Sequence, residues 1–427
     1  METPLTGNIR PGHEPLDIAG YERAGGYRAV RKMLGEMAPA DVIDIVTRSK
    51  LRGRGGAGFP TGIKWSLVPK DVTASRPHYL VVNADEMEPG TFKDRLLLEG
   101  DPHQMIEAVI IAAYAIRAEI AYIFLRGEYY LAERRLRQAV GEAAAHGYIG
   151  ANILGSGYDL QVHVHTSGGR YICGEETALL TALEGRRAVP RAKPPFPQSS
   201  GLWGMPTVVN NVETLCNVPH IINNGADWFI GLGLGDDGGT KIYGASGHVR
   251  RPGAWELPMG TPLCEIIEDH AGGMRDGYEL RAVLPGGAST AFIAADDIEV
   301  KMDFASVEKV GSRLGTGTAI VLDQRTCPVG MLRNLEHFFA QESCGWCTPC
   351  RDGLPWVERL LAGIEAGDGE AGDLDILQQH VGLLGPGRTF CAHAPGAMAP
   401  LASGLKYFRA DFERHIHDKR CPWNEGH

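Results

Sequence analysis

At 427 residues, with 44% hydrophobic and 22% charged side chains, the chain has the makeup of a globular protein of two or three domains, which excludes a disordered or fibrous one. Its 42 basic and 52 acidic residues leave a formal charge of -10, which argues against nucleic acid as a partner, because phosphate binding rests on clustered Lys and Arg. Residues 1–20 hold no apolar signal-peptide core, and the most apolar run, 108–116, falls far short of the roughly 20 residues that span a bilayer, so the expectation is a cytoplasmic protein that meets a membrane only through partners.

Short helices are predicted over 27–34 and 39–49, the second with Pro39 and Asp41 in its first turn. Next comes Gly53-Arg54-Gly55-Gly56-Ala57-Gly58-Phe59-Pro60-Thr61-Gly62-Ile63-Lys64-Trp65, five glycines in ten positions followed by a lysine and a tryptophan. Glycines let the backbone approach a phosphate and offer its N–H groups, and with Lys64 and Phe59 alongside, the stretch points to a nucleotide or flavin site. It is neither a Walker loop nor a G-x-G-x-x-G fingerprint, and a flexible turn is the plain alternative. Residues 79–83 read as a buried strand ending in Asn83-Ala84-Asp85-Glu86-Met87-Glu88, where ligands of α/β sheets collect. Asp85, Glu86 and Glu88 there suit either a divalent cation or hydrogen bonds to a ribose or ring edge.

A helix from Asp101-Pro102 to about 117, a strand over 122–125, a helix over 131–146 and a strand over 160–164 alternate as in a largely parallel sheet covered by helices. Residues Gly168 to Leu179 form a glycine turn entering a helix, with Glu175 and Glu176 in its first turn. The helix dipole favours acids there, and a carboxylate at that position also suits ribose hydroxyls and repels a 2′-phosphate. The turn Arg191-Ala192-Lys193-Pro194-Pro195-Phe196-Pro197 has a rigid backbone that would fix Lys193 and Phe196, a polyproline ligand for another domain being the plain alternative, and Asn210-Asn211-Val212-Glu213-Thr214 supplies amides and a hydroxyl.

Glycines over 231–239 mark a domain boundary. Strands over 241–246, 281–284 and 319–322 around a helix at 262–271 make a small α+β unit with nothing catalytic in it. Beyond Pro328, helices are predicted at 331–340, 354–363, 374–383 and 397–415, and the loops between them carry Cys344, Cys347, Cys350 and Cys391. Three thiols at intervals of three plus a remote fourth suit an iron–sulfur cluster of the 4Fe–4S type, whereas structural zinc takes separated pairs and disulfides are rare without an export signal. Cys173, Cys216, Cys264, Cys327 and Cys421 read as ordinary thiols, and His163/His165 and His415/His417 as packed or solvated pairs. The expected domains are 1–235, 236–327 and 328–427.

Together, the glycine loop, Asn83-Ala84-Asp85-Glu86, Tyr171 to Leu179, the Lys193-to-Pro197 turn, Asn210 to Thr214 and Glu342 to Arg351 resemble the NADH-binding flavoprotein subunits of respiratory complex I, over nearly the whole chain after residue 25. The resemblance implies a Rossmann-like domain holding FMN through Gly53, Arg54, Gly55, Gly56, Ala57, Gly58, Gly62, Lys64, Asn83, Asp85, Tyr171, Gly174, Glu175, Asn210, Asn211 and Thr214. It implies NADH contacts at Phe59, Glu88, Glu176, Lys193 and Phe196, a β-grasp-like ligand-binding domain in the middle, and a helical bundle whose Cys344, Cys347, Cys350 and Cys391 hold a 4Fe–4S cluster. The implied chemistry is hydride transfer from NADH to FMN, single-electron transfer to the cluster and delivery to quinone through partners, a small thioredoxin-like 2Fe–2S subunit and a large iron–sulfur subunit. Glu176 would favour NADH over NADPH, and the chain would sit at the inner face of the plasma membrane through those partners. Leu67 departs from the pattern, standing where some members carry a phenylalanine beside the adenine. The tail Cys391-Ala392-His393-Ala394-Pro395-Gly396 is similar to the proteobacterial branch. Three alternatives stay open: the NADH module of a soluble hydrogenase or formate dehydrogenase, a zinc-stabilised binding or assembly protein, and a cluster-only electron carrier.

Overall fold

The computed structural model describes residues 2–71, 73 and 76–423. The chain divides into two compact units, one of Met1–Met87, Phe92–Tyr243 and Trp255–Gly260, the other of Glu88–Thr91, Gly244–Ala254 and Thr261–His427.

The first unit is built on the expected parallel sheet, Rossmann-like in kind: β1 (Tyr79–Ala84), β2 (Ile120–Leu125), β3 (Gln161–Thr166) and β4 (Thr207–Asn211), in the order β3-β2-β1-β4. A strand covered on both faces reads as a continuous apolar run, and Leu80, Val81 and Val82 of β1 are all fully buried. The helix Pro102–Ala115 starts where the sequence placed it, its N-cap Asp101 accepting the Gln104 N–H, and it is buried around nearly its whole circumference. Parallel strands put their carboxyl ends on one edge of the sheet. Asn83 of β1 therefore stands in register with Asn211 of β4, and Ser167 follows β3 on the same edge.

One helix of this unit, Lys93–Gly100, has no N-cap side chain of its own at Phe92. Its start is satisfied from a distance: Glu86 accepts the N–H groups of Asp94 at 2.9 Å and Arg95 at 3.1 Å, and the Tyr129 hydroxyl at 3.0 Å. The acidic run is thus dispersed rather than gathered around a cation. Asp85 accepts the Ser167 hydroxyl at 2.6 Å, and Glu88, in the second unit, accepts the Ser289 N–H at 2.7 Å. Burial and the neighbouring Asp94 push the Glu86 carboxyl up to about 7, against the pull of Lys93.

A mixed sheet of β5 (Thr240–Gly247), β6 (Gly253–Pro258), β7 (Leu280–Leu284), β8 (Ile293–Ala294) and β9 (Thr318–Asp323), in the order β6-β5-β9-β7-β8, falls largely in the second unit, with 240–243 and 255–258 belonging to the first. Residues 244–247 pair with 318–321 in parallel, while β7 runs antiparallel to both β8 and β9. β6 and β8 escape a reading by alternation, β8 because two residues make no pattern. The helices Pro328–Glu342, Thr348–Ala366, Ala371–Leu384, His393–Tyr407 and Arg409–Asp418 follow. In Thr348–Ala366 the buried residues Cys350, Leu354, Val357, Leu361 and Ile364 recur at alternating intervals of four and three, one apolar stripe on a helix that ends at the left-handed Gly367. The last predicted helix is two helices that meet at Phe408, whose ring lies edge-on to Phe292 at 5.2 Å and under the Arg281 guanidinium at 4.9 Å.

Candidate cofactor sites

The first site forms at the carboxyl edge of the parallel sheet. The glycine stretch is a closed loop: the Gly53 N–H donates to the Phe59 carbonyl at 2.9 Å and the Thr61 N–H to that of Leu51 at 2.9 Å. It is pinned to β4 and the helix Val212–Cys216 by the Arg54 N–H on the Thr214 hydroxyl at 2.7 Å and by the buried Trp65 indole on Asn210 at 2.8 Å. A Cβ on Gly55 would stand 3.0 Å from the Asn211 Cβ, and Gly56 has a φ of +115° that side chains disfavour, so this cradle admits backbone alone. Gly62 opens the next helix so close to the helix Pro39–Arg48 that a Cβ would come within 2.6 Å of the Thr47 nitrogen. The Arg54 side chain is fully buried and donates to the carbonyls of Arg52, Gly238 and Thr240, at 2.9, 2.8 and 3.1 Å.

Facing the loop is the turn Tyr171–Gly174 and the helix Glu176–Leu183. Glu175 is its N-cap, accepting the Thr177 N–H at 2.9 Å and the Ala178 N–H at 2.8 Å on one oxygen, while its other oxygen meets the Lys193 ammonium at 3.3 Å. Glu176 takes the Lys64 ammonium at 2.8 Å on one oxygen and that of Lys193 at 2.8 Å on the other. Burial raises the Glu176 carboxyl, but the two lysines outweigh it and hold it below its usual range. Asn83 donates to the Gly174 carbonyl at 3.0 Å, which ties β1 to the same turn. A Cβ on Gly174 would meet nothing within 4 Å, so the turn borders open space, and Phe59 (50% exposed) and Phe196 (54% exposed) leave their rings available for stacking. The proline turn is held by Arg191, whose N–H donates to the Thr177 hydroxyl at 2.8 Å and whose guanidinium donates to the Gly201 carbonyl at 2.9 Å. Arg191, Trp65 and Ser167 carry no signal as anchors in the sequence, since only the fold brings them against the motif residues.

Beneath the edge lies a buried charge network: Lys93 contacts Asp94 at 2.7 Å and Glu213 at 2.9 Å, Lys241 contacts Glu213 at 3.2 Å, and Asn211 donates to Asp94 at 2.6 Å. These donors, acids and open glycine backbone fit a phosphorylated, ring-bearing ligand.

The second site belongs to the helical part of the second unit. Cys344 and Cys347 lie in the loop after Pro328–Glu342, Cys391 stands two residues before His393–Tyr407, and Cys350, expected in the loop, is in the first turn of Thr348–Ala366. None of the four is in a disulfide, and the Cys350 sulfur is 3.1 Å from the Ser343 hydroxyl. Burial pushes the Cys350 thiol up to about 12; Ser343 opposes the rise, and Cys347, Cys391 and Cys344 lie near enough to add to it. His393 on the Phe339 carbonyl at 2.8 Å anchors the Cys391 segment, and Trp346 and Phe390 meet edge-on at 6.4 Å beside it. Four thiols, three of them at intervals of three, suit an iron–sulfur cluster, whereas structural zinc takes separated pairs.

Residues 46–220 match the family model of the Nuo51 FMN-binding domain, 330–415 that of the NADH-ubiquinone oxidoreductase-F iron-sulfur binding region, and 244–292 that of the SLBB domain. The chain is 54% identical over 413 residues to the F subunit of NADH-quinone oxidoreductase of Salmonella typhimurium and to that of Escherichia coli, covering 97% of this chain and 93% of each relative. The second F subunit of NADH-quinone oxidoreductase of Rhizobium meliloti is 53% identical over 95% of this chain and 96% of its own. Among solved structures, the air-oxidized NAD+-reducing [NiFe]-hydrogenase aligns with a TM-score of 0.83 at 33% identity, over 95% of this chain and 67% of that one.

Proposed function

The chain belongs to the family of NADH-quinone oxidoreductase F subunits, and on that premise we propose which of its residues hold each cofactor. It is an oxidoreductase flavoprotein subunit that carries electrons from NADH through FMN to a 4Fe–4S cluster. Bound FMN supplies an acceptor for the nicotinamide hydride, and the cluster takes electrons one at a time.

Gly53, Gly55, Gly56, Ala57, Gly58 and Gly62 cradle the FMN phosphate with backbone, Arg54 shaping the loop from within. Asn83, Asp85, Tyr171, Gly174, Asn210, Asn211 and Thr214 offer hydrogen bonds along the flavin, and Glu175 fixes the facing helix by capping it. Lys64 serves FMN, while Glu176 and Lys193 form the polar wall toward NADH, with Phe59 and Phe196 as stacking faces; Glu88 is assigned to NADH by its motif. No side chain moves a proton in this scheme. The protein supplies position, charge and exclusion of water. The observation that carries the assignment is the shared carboxylate of Glu176 between two lysines beside an open glycine cradle.

Cys344, Cys347, Cys350 and Cys391 ligate the cluster. The three-domain division at 235 and 327, a small thioredoxin-like 2Fe–2S subunit and a large iron–sulfur subunit as partners, quinone as final acceptor, and peripheral attachment at the inner face of the plasma membrane complete the proposal. No helix among the described residues is long and apolar enough to cross a membrane. The hydrogenase-type alternative has weaker support, at 33% identity against 54%. The test is Cys391→Ser: iron and sulfide fall well below the wild-type content while NADH still bleaches added FMN. A full iron complement in that variant would remove Cys391 from the ligand set.

A further inference from the structure

The second unit holds another ligand constellation, separate from the four cluster cysteines. Cys327 is the N-cap of Pro328–Glu342, its sulfur accepting the Gly330 N–H at 3.3 Å. His415 lies fully buried in Arg409–Asp418, with Nδ1 2.7 Å from the Asp411 carbonyl one turn back. That carbonyl can only accept, so Nδ1 carries the proton and the Nε2 lone pair is left to face the Cys327 sulfur, 3.3 Å away. Cys421, also buried, is brought back to the same point by the left-handed residue Lys419, whose ammonium is anchored on the Gly369 carbonyl at 2.8 Å. The three ligand atoms lie within 4.8 Å of one another. Trp423 closes the site by stacking on the imidazole at 5.7 Å with its indole N–H on the Gln324 carbonyl at 3.3 Å.

We infer that Cys327, His415 and Cys421 bind one divalent zinc ion. The donor set is the one zinc prefers, two thiolates and an imidazole, and Zn–S and Zn–N bonds of about 2.3 and 2.0 Å accommodate ligand atoms at this spacing around a single ion. The hydrogen bond at Nδ1 supplies the outer-shell orientation that metal-bound imidazoles use. The ion would staple the start of the bundle's first helix to the turn that ends the chain's last one, a structural role outside the electron path.

The test uses the full chain with its iron–sulfur cluster loaded, incubated with zinc alone and desalted. Metal analysis is expected to give about one zinc per chain beside the iron, and zinc-edge X-ray absorption a shell of two sulfurs near 2.3 Å with nitrogen or oxygen near 2.0 Å. Cys421→Ser and His415→Gln are expected to lose the zinc with iron and sulfide unchanged, while Cys264→Ser keeps it. No zinc in the wild-type chain, a Cys327–Cys421 disulfide in anaerobic peptide mapping, or zinc retained in both ligand variants would overturn the inference. The wild-type absorption spectrum decides the question even where a variant fails to fold.

Discussion

Glu213→Gln probes the charge network that supports the glycine cradle. Glu213 is wholly buried, and it holds Lys93 at 2.9 Å, Lys241 at 3.2 Å and the Ile242 N–H at 2.7 Å. At 3.2 Å and an effective dielectric of about 20, the Glu213–Lys241 attraction is about 5 kcal/mol. Burial already pushes the Lys241 ammonium down to about 8 with that partner in place. Once the carboxylate is removed, Lys241 sheds its proton rather than persist as an unpaired buried cation. The unfolded chain keeps that proton, so stability rises with pH, and the slope is about 1.4 kcal/mol per pH unit. In the wild type this slope ends near pH 8; in the variant it continues to lower pH. On top of a constant loss from the Lys93 side, and because the wild type is itself half-titrated near pH 8, the deficit grows by about 1.0 kcal/mol at pH 7 and about 2.3 kcal/mol at pH 6, relative to pH 8. Urea midpoints from tryptophan fluorescence at the three pH values read this directly. A deficit that is constant from pH 8 to pH 6, or absent, would refute the claim that Glu213 holds Lys241 charged.

Other perturbations separate structure from cofactor contact. Glu176→Gln leaves Lys64 and Lys193 without their shared anion, and the kcat/KM ratio of NADPH to NADH is expected to rise at least about tenfold, roughly 1.4 kcal/mol; an unchanged ratio would remove Glu176 from nucleotide discrimination. Gly62→Ala forces a Cβ against the Thr47 backbone and is expected to cost about 1–3 kcal/mol and to weaken FMN retention in equilibrium dialysis, where wild-type retention would show that the loop tolerates the shift. Glu86 has a raised carboxyl pKa, so its unfolded form releases a proton that the folded form keeps, and stability falls as pH rises from about 4.5 to about 7. Glu86→Gln should flatten that window in a melting series, and an identical pH profile in the variant would contradict it.

Patterns that live in a few adjacent residues were legible in advance. The parallel sheet followed from alternating apolar runs, and the helix at Pro102 from an Asp-Pro cap that the structure retains. Arrangements made by distant residues were not legible. The helix Lys93–Gly100 is capped by Glu86 across a loop, so no signal stands beside its first turn. The split at Phe408 has no glycine or proline within three residues to mark it, and the Phe408 ring packs on Phe292 and under Arg281. Cys327 and Cys421 read as scattered thiols because they lie far apart in sequence, and only the fold brings both of them to His415. Within the first site, the motifs showed which side chains gather but not that Glu175 caps the helix while Glu176 bridges two lysines.

The central claim is that this chain passes electrons from NADH through FMN to its own cluster. An anaerobic visible spectrum of the purified chain with FMN bound and cluster loaded, recorded before and after adding NADH and, separately, NADPH, tests it most directly. Bleaching of both flavin and cluster absorption with NADH, and little change with NADPH, is the expected result. Folded protein that retains FMN and cluster yet shows no response to NADH would contradict it.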